Sequence, residues 1–287
     1  MPILTEKELH EIAGIFVFNG FSARCVTGAN EDIYNDFKTM ANTETGSLLL
    51  RRIYASNHDM LITIDAQNKD TKWGGKAGPH VNDKGEPTYQ SVTIDYETPY
   101  PADRIATMVH ELTHVLQFRT QGDPTCITDN PEQRYILDKM YEAEARLNET
   151  KLMYELIKDQ PEKQAFYSPS PKTKIDIARY KLALSQTKDK GKINAYMFEY
   201  FYNDKKWLDT YQEQHLKVAN AKDLSGLRGN VPSYSDVIDI FKGRLGFVSS
   251  NLPEDNGKNI DRFTNIRNMS DYNPKMIEAN RHSKDSR

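Results

Sequence analysis

A chain of 287 residues with a formal net charge of −3 can bury a substantial core, as one large domain or two modest ones, and its scattered Lys and Arg exclude nucleic-acid binding through bulk charge. No stretch reaches the roughly 18–20 apolar residues of a membrane span. The closest, residues 12–21, follows an acidic segment rather than a basic one, so the chain reads as soluble and without a general export signal, cytoplasmic or released by a specialised route.

Near the start, Thr5 is answered by Glu8 three positions later, a capping box that predicts a helix. Residues 17–21 read as a short apolar strand or turn, and residues 32–40 as a helical patch. Residues 47–54 carry a dense apolar helical face that stops near Ser56 and Asn57. Residues 59–65 are rich in β-formers and bounded by Asp, which predicts a strand. Residues 68–87 hold Gly74, Gly75, Gly78, Pro79, Gly85 and Pro87 and read as a loop. Residues 89–96 alternate again and read as a second strand. Pro99 and Pro101 then break the chain, with Pro101 where the next helix begins.

That helix covers residues 102–118. A loop at 121–131 separates it from residues 133–159, where few breakers interrupt an amphipathic helical pattern. Residues 174–186 predict another helix, 187–192 a charged turn, and 193–220 a long aromatic helix. At helical spacing Tyr196, Phe198, Tyr200 and Phe201 read as core, in a helix that covers the central unit. One short helix falls near 235–241, and from 251 the chain is polar and loosely ordered. Cys25 and Cys126 fit a reduced compartment or indifference to redox, with a disulfide between them left open.

The elements sum to an α+β, mostly α single domain over residues 1–287. Its central core spans about 43–160, with a small mixed or antiparallel sheet packed on the 102–118 helix. A helical C-terminal half covers about 165–250 and a tail 251–287. A strand directly before the central helix is also a place where an extended peptide adds itself by β-pairing.

The chemistry is concentrated in His110-Glu111-Leu112-Thr113-His114. At about 100° per residue the two histidines sit some 40° apart, one turn from each other on one face. Two neutral imidazoles so placed can each bring a nitrogen about 2.0–2.1 Å from one Zn²⁺. Glu111 points off the ligand direction yet stays beside the metal, where it can take a proton from water. The surrounding Ile105, Met108, Val109, Leu112, Val115, Leu116 and Phe118 make this a buried helix, on which histidines and a carboxylate need partners.

Catalytic zinc takes three protein ligands and leaves a position for water. The acidic candidates downstream are Asp138, Glu142, Glu144 and Glu149. Glu142 and Glu144 lie about 200° apart around a helix, so only one faces the metal. Ala145 lies on Glu142's face, and its small side chain lets the two helices approach. This favours Glu142, with Glu144 as the alternative and Asp138 as an outer residue that steadies a ligand.

His110-Glu-Leu-Thr-His114-Val-Leu-Gln117 followed by Glu142-Ala-Glu-Ala145 resembles the zincin metallopeptidases of the gluzincin type. In many of those families a Glu-x-x-Ala on a later helix supplies the third ligand. There is a fainter likeness to secreted bacterial effector and toxin-associated zincins, carried by Thr45-Gly46-Ser-Leu-Leu-Leu50, the strand at 60–64 and the motif's wording. The resemblance covers roughly residues 43–147. It implies zinc-assisted hydrolysis of a protein or peptide substrate, with one Zn²⁺ on His110, His114 and Glu142 and with Glu111 as general base. Many such families place Asp or Asn one residue after the alanine, where this chain has Arg146. The chain also lacks the His-x-x-Gly-x-x-His extension after His114, which excludes the metzincin branch.

Transition-state charge needs a donor besides the metal, for which Tyr141, Tyr154, Tyr167, Tyr200 and His215 are the candidates. Two rival readings remain. One is a catalytically inactive zincin-like module that binds peptide or protein, or keeps zinc for structure. The other is an interaction module whose histidine pair is incidental. Structural zinc sites are closed and rich in cysteine, and this chain offers no fitting cysteine.

Overall fold

The computed structural model describes residues 3–19, 29–67, 75–81, 87–96, 101–120, 131–158 and 169–202. The elements in order are α1 (Glu6–Ala13), β1 (Phe16–Asn19), α2 (Ala29–Ala41), α3 (Glu44–Ser56), β2 (Ile62–Gln67), β3 (Gly75–Val81), β4 (Pro87–Asp95), α4 (Pro101–Thr120), α5 (Pro131–Lys158), α6 (Pro171–Gln186) and α7 (Lys190–Tyr202). Among the described residues this is an α+β fold, mostly helical, with one small mixed sheet.

Local rules place several boundaries. Thr5 caps α1 through both halves of the expected capping box, with Glu8 Oε2 accepting from Thr5 N at 2.8 Å. Thr43 caps α3 by accepting from Gly46 N at 2.9 Å. Gly46 is required there by space, since a Cβ would stand 2.1 Å from the Met40 carbonyl oxygen at the end of α2. The first turn of α3 gains a distant partner too: Thr45 donates its N–H and its hydroxyl to the Glu155 carboxylate of α5. A carboxylate at a helix N-terminus satisfies N–H groups that the helix itself cannot.

The sheet order is β1-β2-β4-β3. β1 and β2 are parallel, β2 and β4 are parallel, and β3 runs antiparallel to β4. Side chains alternate across it. Ile62, Ile64, Val92 and Ile94 are fully buried in the core that holds Ile105, Met108 and Leu112 of α4. Thr63, Ser91 and Thr93 point the other way and remain partly exposed. α4 packs against both β3 and β4.

Two expectations need correction. Residues 68–87 are not loop throughout, because they contain β3. Gly75, Gly78 and Pro79 are loop signals on local grounds, but β3 is an edge strand, where a missing N–H is tolerated because one side faces no partner strand. The strand before α4 is not available to an extended peptide either. β4 is interior, with one ladder taken by β2 and the other by β3, so among the described strands only β1 and β3 present edges.

The chain groups into two compact units, residues 1–120 with 145–182, and residues 121–144 with 183–287. The division falls within α5, after Glu144. The first unit holds the sheet and α1–α4. In the second, α7 buries Ile193, Ala195, Met197, Phe198, Phe201 and Tyr202, so Phe198 and Phe201 are core as expected, while Tyr196 and Tyr200 are only half-buried. The continuation of the aromatic helix past Tyr202, the helix near 235–241, the tail from 251 and both cysteines lie outside the described residues. No helix among the described residues is long and apolar enough to cross a membrane.

Candidate metal centre

α4 starts at Pro101 and buries residues around most of its circumference, which fixes how its polar side chains must point. It is held at both ends. Near its start Arg104 donates to Asp36 Oδ2 at 3.1 Å, and Tyr96 donates to the same oxygen at 3.0 Å. Burial raises the Asp36 pKa even though Arg104 and Tyr96 pull it down. At its other end Arg119 donates to the carbonyls of Asn57 and Met60, both at 2.7 Å, and to the Gln90 side chain. These bonds tie the helix to the end of α3, the start of β2 and the inner face of β4.

Between those anchors the two imidazoles converge. His110 Nε2 and His114 Nε2 lie 3.2 Å apart, with the rings inclined at 76°. At bond lengths of 2.0–2.1 Å a 3.2 Å nitrogen separation subtends about 100° at a zinc ion, close to tetrahedral. The outer nitrogens show why the inner ones can be ligands. His114 Nδ1 is 2.7 Å from Gln117 Oε1, and His110 Nδ1 is 3.2 Å from Glu149 Oε2. Both partners are acceptors, so each ring, when neutral, donates an Nδ1–H and turns an Nε2 lone pair toward the other. Two lone pairs at that separation repel unless a proton or a cation lies between them.

A third ligand atom is near. His110, His114 and Glu142 offer ligand atoms that all lie within 4.8 Å of one another. Glu142, Ala145 and Glu149 are three and four residues apart, so they share one face of α5. Ala145 is fully buried, and just past it the helix meets α4 through Asn148 Nδ2, which donates to Thr113 Oγ1 at 3.3 Å. The group comprises a buried His114, a half-buried His110 and a half-buried Glu142. Two imidazoles and a carboxylate are the donor set of a catalytic zinc site rather than of a cysteine-rich structural one. The residues therefore fit the ion.

Glu144 lies on another side of α5 and is buried at 2% exposure; it is not part of the group. Asp138 is half-buried one turn before Glu142. Gln117 and Glu149 supply outer contacts at the rings. Burial works to raise the Glu149 pKa, but the His110 hydrogen bond and the charges of His110, Arg146 and Lys172 outweigh it and hold the carboxyl below its ordinary value. Arg146 turns to Asp176 of α6, at 3.2 Å.

Glu111 is buried at 6% exposure and lies against the first residue of β3. A Cβ on Gly75 would stand 2.6 Å from Thr107 Cγ2 and 2.8 Å from Glu111 Oε1. Among the tyrosines considered as donors, Tyr141 is buried, Tyr154 meets Tyr180 edge to face at 5.3 Å, and Tyr200 packs on Phe201. Tyr167 and His215 lie outside the described residues.

The positioning role of Gln117 had a local signal, since it follows His114 by three residues on the same helix and faces the same side. Gly75 had none, because its neighbour Glu111 is distant in sequence. No family model, curated protein or solved structure matches the chain.

Proposed function

We propose that the chain is a zinc-dependent metallopeptidase, with His110, His114 and Glu142 as metal ligands and Glu111 as general base. The observation that carries this reading is the pair of Nε2 atoms 3.2 Å apart, each ring fixed by its own Nδ1 acceptor. That arrangement favours a cation over two competing lone pairs, and the nearby Glu142 adds a negative ligand.

Zinc held there supplies Lewis acidity toward water and a scissile carbonyl. Glu111 accepts the proton of the attacking water and hands it to the leaving amine. Gly75 lets β3 lie against Glu111 without a side chain between them. The outer edge of β3, rather than β4, is then where an extended substrate backbone would pair.

Two measurements test the reading together. Purified protein is expected to contain one zinc per chain by elemental analysis, and to cleave a denatured protein substrate in a chelator-sensitive manner. Glu111→Gln should keep the zinc and lose at least about 100-fold in rate, the scale expected of a positioned base. Protein that holds no zinc, or a Glu111→Gln variant of undiminished rate, refutes the assignment.

A further inference from the structure

The side chains of α6 divide into two opposite faces. At about 100° per residue, Thr173, Asp176, Ile177 and Tyr180 fall within one arc of about 100°. These residues join the helix to the body. Thr173 Oγ1 donates to Asp103 Oδ1 of α4 at 3.4 Å, and Asp176 pairs with Arg146 of α5 at 3.2 Å. Ile177 belongs to the core, and Tyr180 meets Tyr154 of α5 edge to face. Contacts spread over two turns fix the rotation of the helix about its axis.

That rotation decides what the other face shows. Ile175 and Leu182 are 59% and 52% exposed. They stand two turns apart on one line, with the exposed Ala178 beside it. Lys174 and Lys181 flank the line on one side, Lys172 and Arg179 on the other, and all four are exposed. Each basic pair is spaced by seven residues, as the aliphatic pair is, so the three rows run parallel. Asp176, the one acid of α6, is turned inward to Arg146. In a chain of net charge −3, the outer face of this helix is wholly basic and aliphatic.

A single exposed aliphatic residue is ordinary. A row of them framed by cations on both sides is the pattern of a helix that lies in the interface of a bilayer. A nucleic-acid backbone would reward the cations alone and leave Ile175 and Leu182 against phosphate and water. We propose that the outer face of α6 docks on a phospholipid bilayer carrying anionic headgroups. Ile175 and Leu182 enter among the acyl chains, and Lys172, Lys174, Arg179 and Lys181 extend their stems to the headgroups. Two aliphatic side chains anchor little by themselves, so attachment is reversible and depends on lipid charge.

The test is flotation of the full chain with vesicles of phosphatidylcholine containing roughly 30% phosphatidylserine, an anionic lipid. The chain should float with these, not with pure phosphatidylcholine. It should be released at about 1 M salt, where the screening length falls to about 3 Å. Lys174→Gln/Lys181→Gln should weaken binding about 10- to 30-fold, from the usual contribution of each cation near a charged surface. Ile175→Ser/Leu182→Ser should weaken it about 10-fold or more at unchanged net charge. Lys7→Glu, at a side chain 86% exposed on α1, alters the net charge as much as the lysine pair does and should bind like the parent. All of these positions are exposed, so the melting temperatures should stay close to that of the parent.

A parent chain that ignores anionic vesicles overturns the proposal; if it binds polyglutamate instead, the face belongs to an acidic protein partner. Undiminished binding of the lysine pair variant or of Ile175→Ser/Leu182→Ser also overturns it. So does an equal loss in Lys7→Glu, which would assign the attachment to bulk charge rather than to α6.

Discussion

Gly75 and Glu111, thirty-six positions apart in sequence, are close enough that a single methyl group cannot be placed between them: a Cβ on Gly75 would sit 2.8 Å from Oε1 and 2.9 Å from Cγ of the glutamate. An edge strand and the proposed base are thereby held in direct register. Gly75→Ala should push Glu111 or β3 aside, costing about 1–3 kcal/mol of stability. It should also lower the cleavage rate by about 10–100-fold through misplacement of the base. Zinc content should not change. A steady-state assay beside elemental analysis checks this, and an unaltered rate would show that the contact does not set Glu111.

Gln117 offers the oxygen that fixes the second histidine, at 2.7 Å from Nδ1. Gln117→Leu keeps the bulk and removes the acceptor, so His114 loses the bond that holds its tautomer. Zinc affinity should fall about 10-fold or more, measured by chelator competition, with a far-ultraviolet spectrum like that of the parent. Gln117→Glu should retain affinity, because it keeps an acceptor in place.

Arg119 gathers the carbonyls of Ile53, Asn57 and Met60 and the side chain of Gln90. Arg119→Met should orphan several of these acceptors and cost about 3 kcal/mol, from the usual penalty for partly buried polar groups left without a donor. Urea unfolding monitored by fluorescence measures it. A loss below about 0.5 kcal/mol would mean that water replaces the guanidinium group at little cost.

Glu8 couples α1 to α3 by accepting from Arg51 Nε at 3.1 Å and Nη2 at 3.2 Å. The Arg51 hydrogen bond, aided by the backbone and hydroxyl of Thr5, lowers its pKa from 4.5 to about 2. A carboxyl with a depressed folded-state pKa contributes stability above its ordinary value and loses it as the pH falls toward the folded value. The melting-temperature difference between parent and Glu8→Gln should therefore be constant above about pH 5, shrink below it and vanish near pH 2. A difference that persists at pH 2 would assign the effect to packing.

Much of the local architecture was legible in the residues themselves. The Thr5–Glu8 box starts α1, Pro101 starts α4, and the apolar residues around His110 and His114 make their helix a buried one. Each depends on neighbours within a turn or two, where the chain's own geometry dictates the contact. The failures share a cause. Residues 75–81 look like loop because glycine and proline disfavour a strand locally, and only pairing with β4 overrides that preference. The interior place of β4 follows from β2 and β3 closing on it from opposite sides, which its alternating pattern could not reveal.

By itself the sequence determined that two imidazoles stand one turn apart on a buried helix, because the pitch of an α-helix leaves no other arrangement for positions 110 and 114. It also narrowed the candidate third ligand to an acid on the next long helix. Tertiary structure alone decided that Glu142 rather than Glu144 joins the histidines, that Glu149 takes His110 Nδ1, and that Gly75 lies against Glu111. Those partners come from separate elements, and packing of whole faces, rather than any preference of single residues, sets which atoms meet.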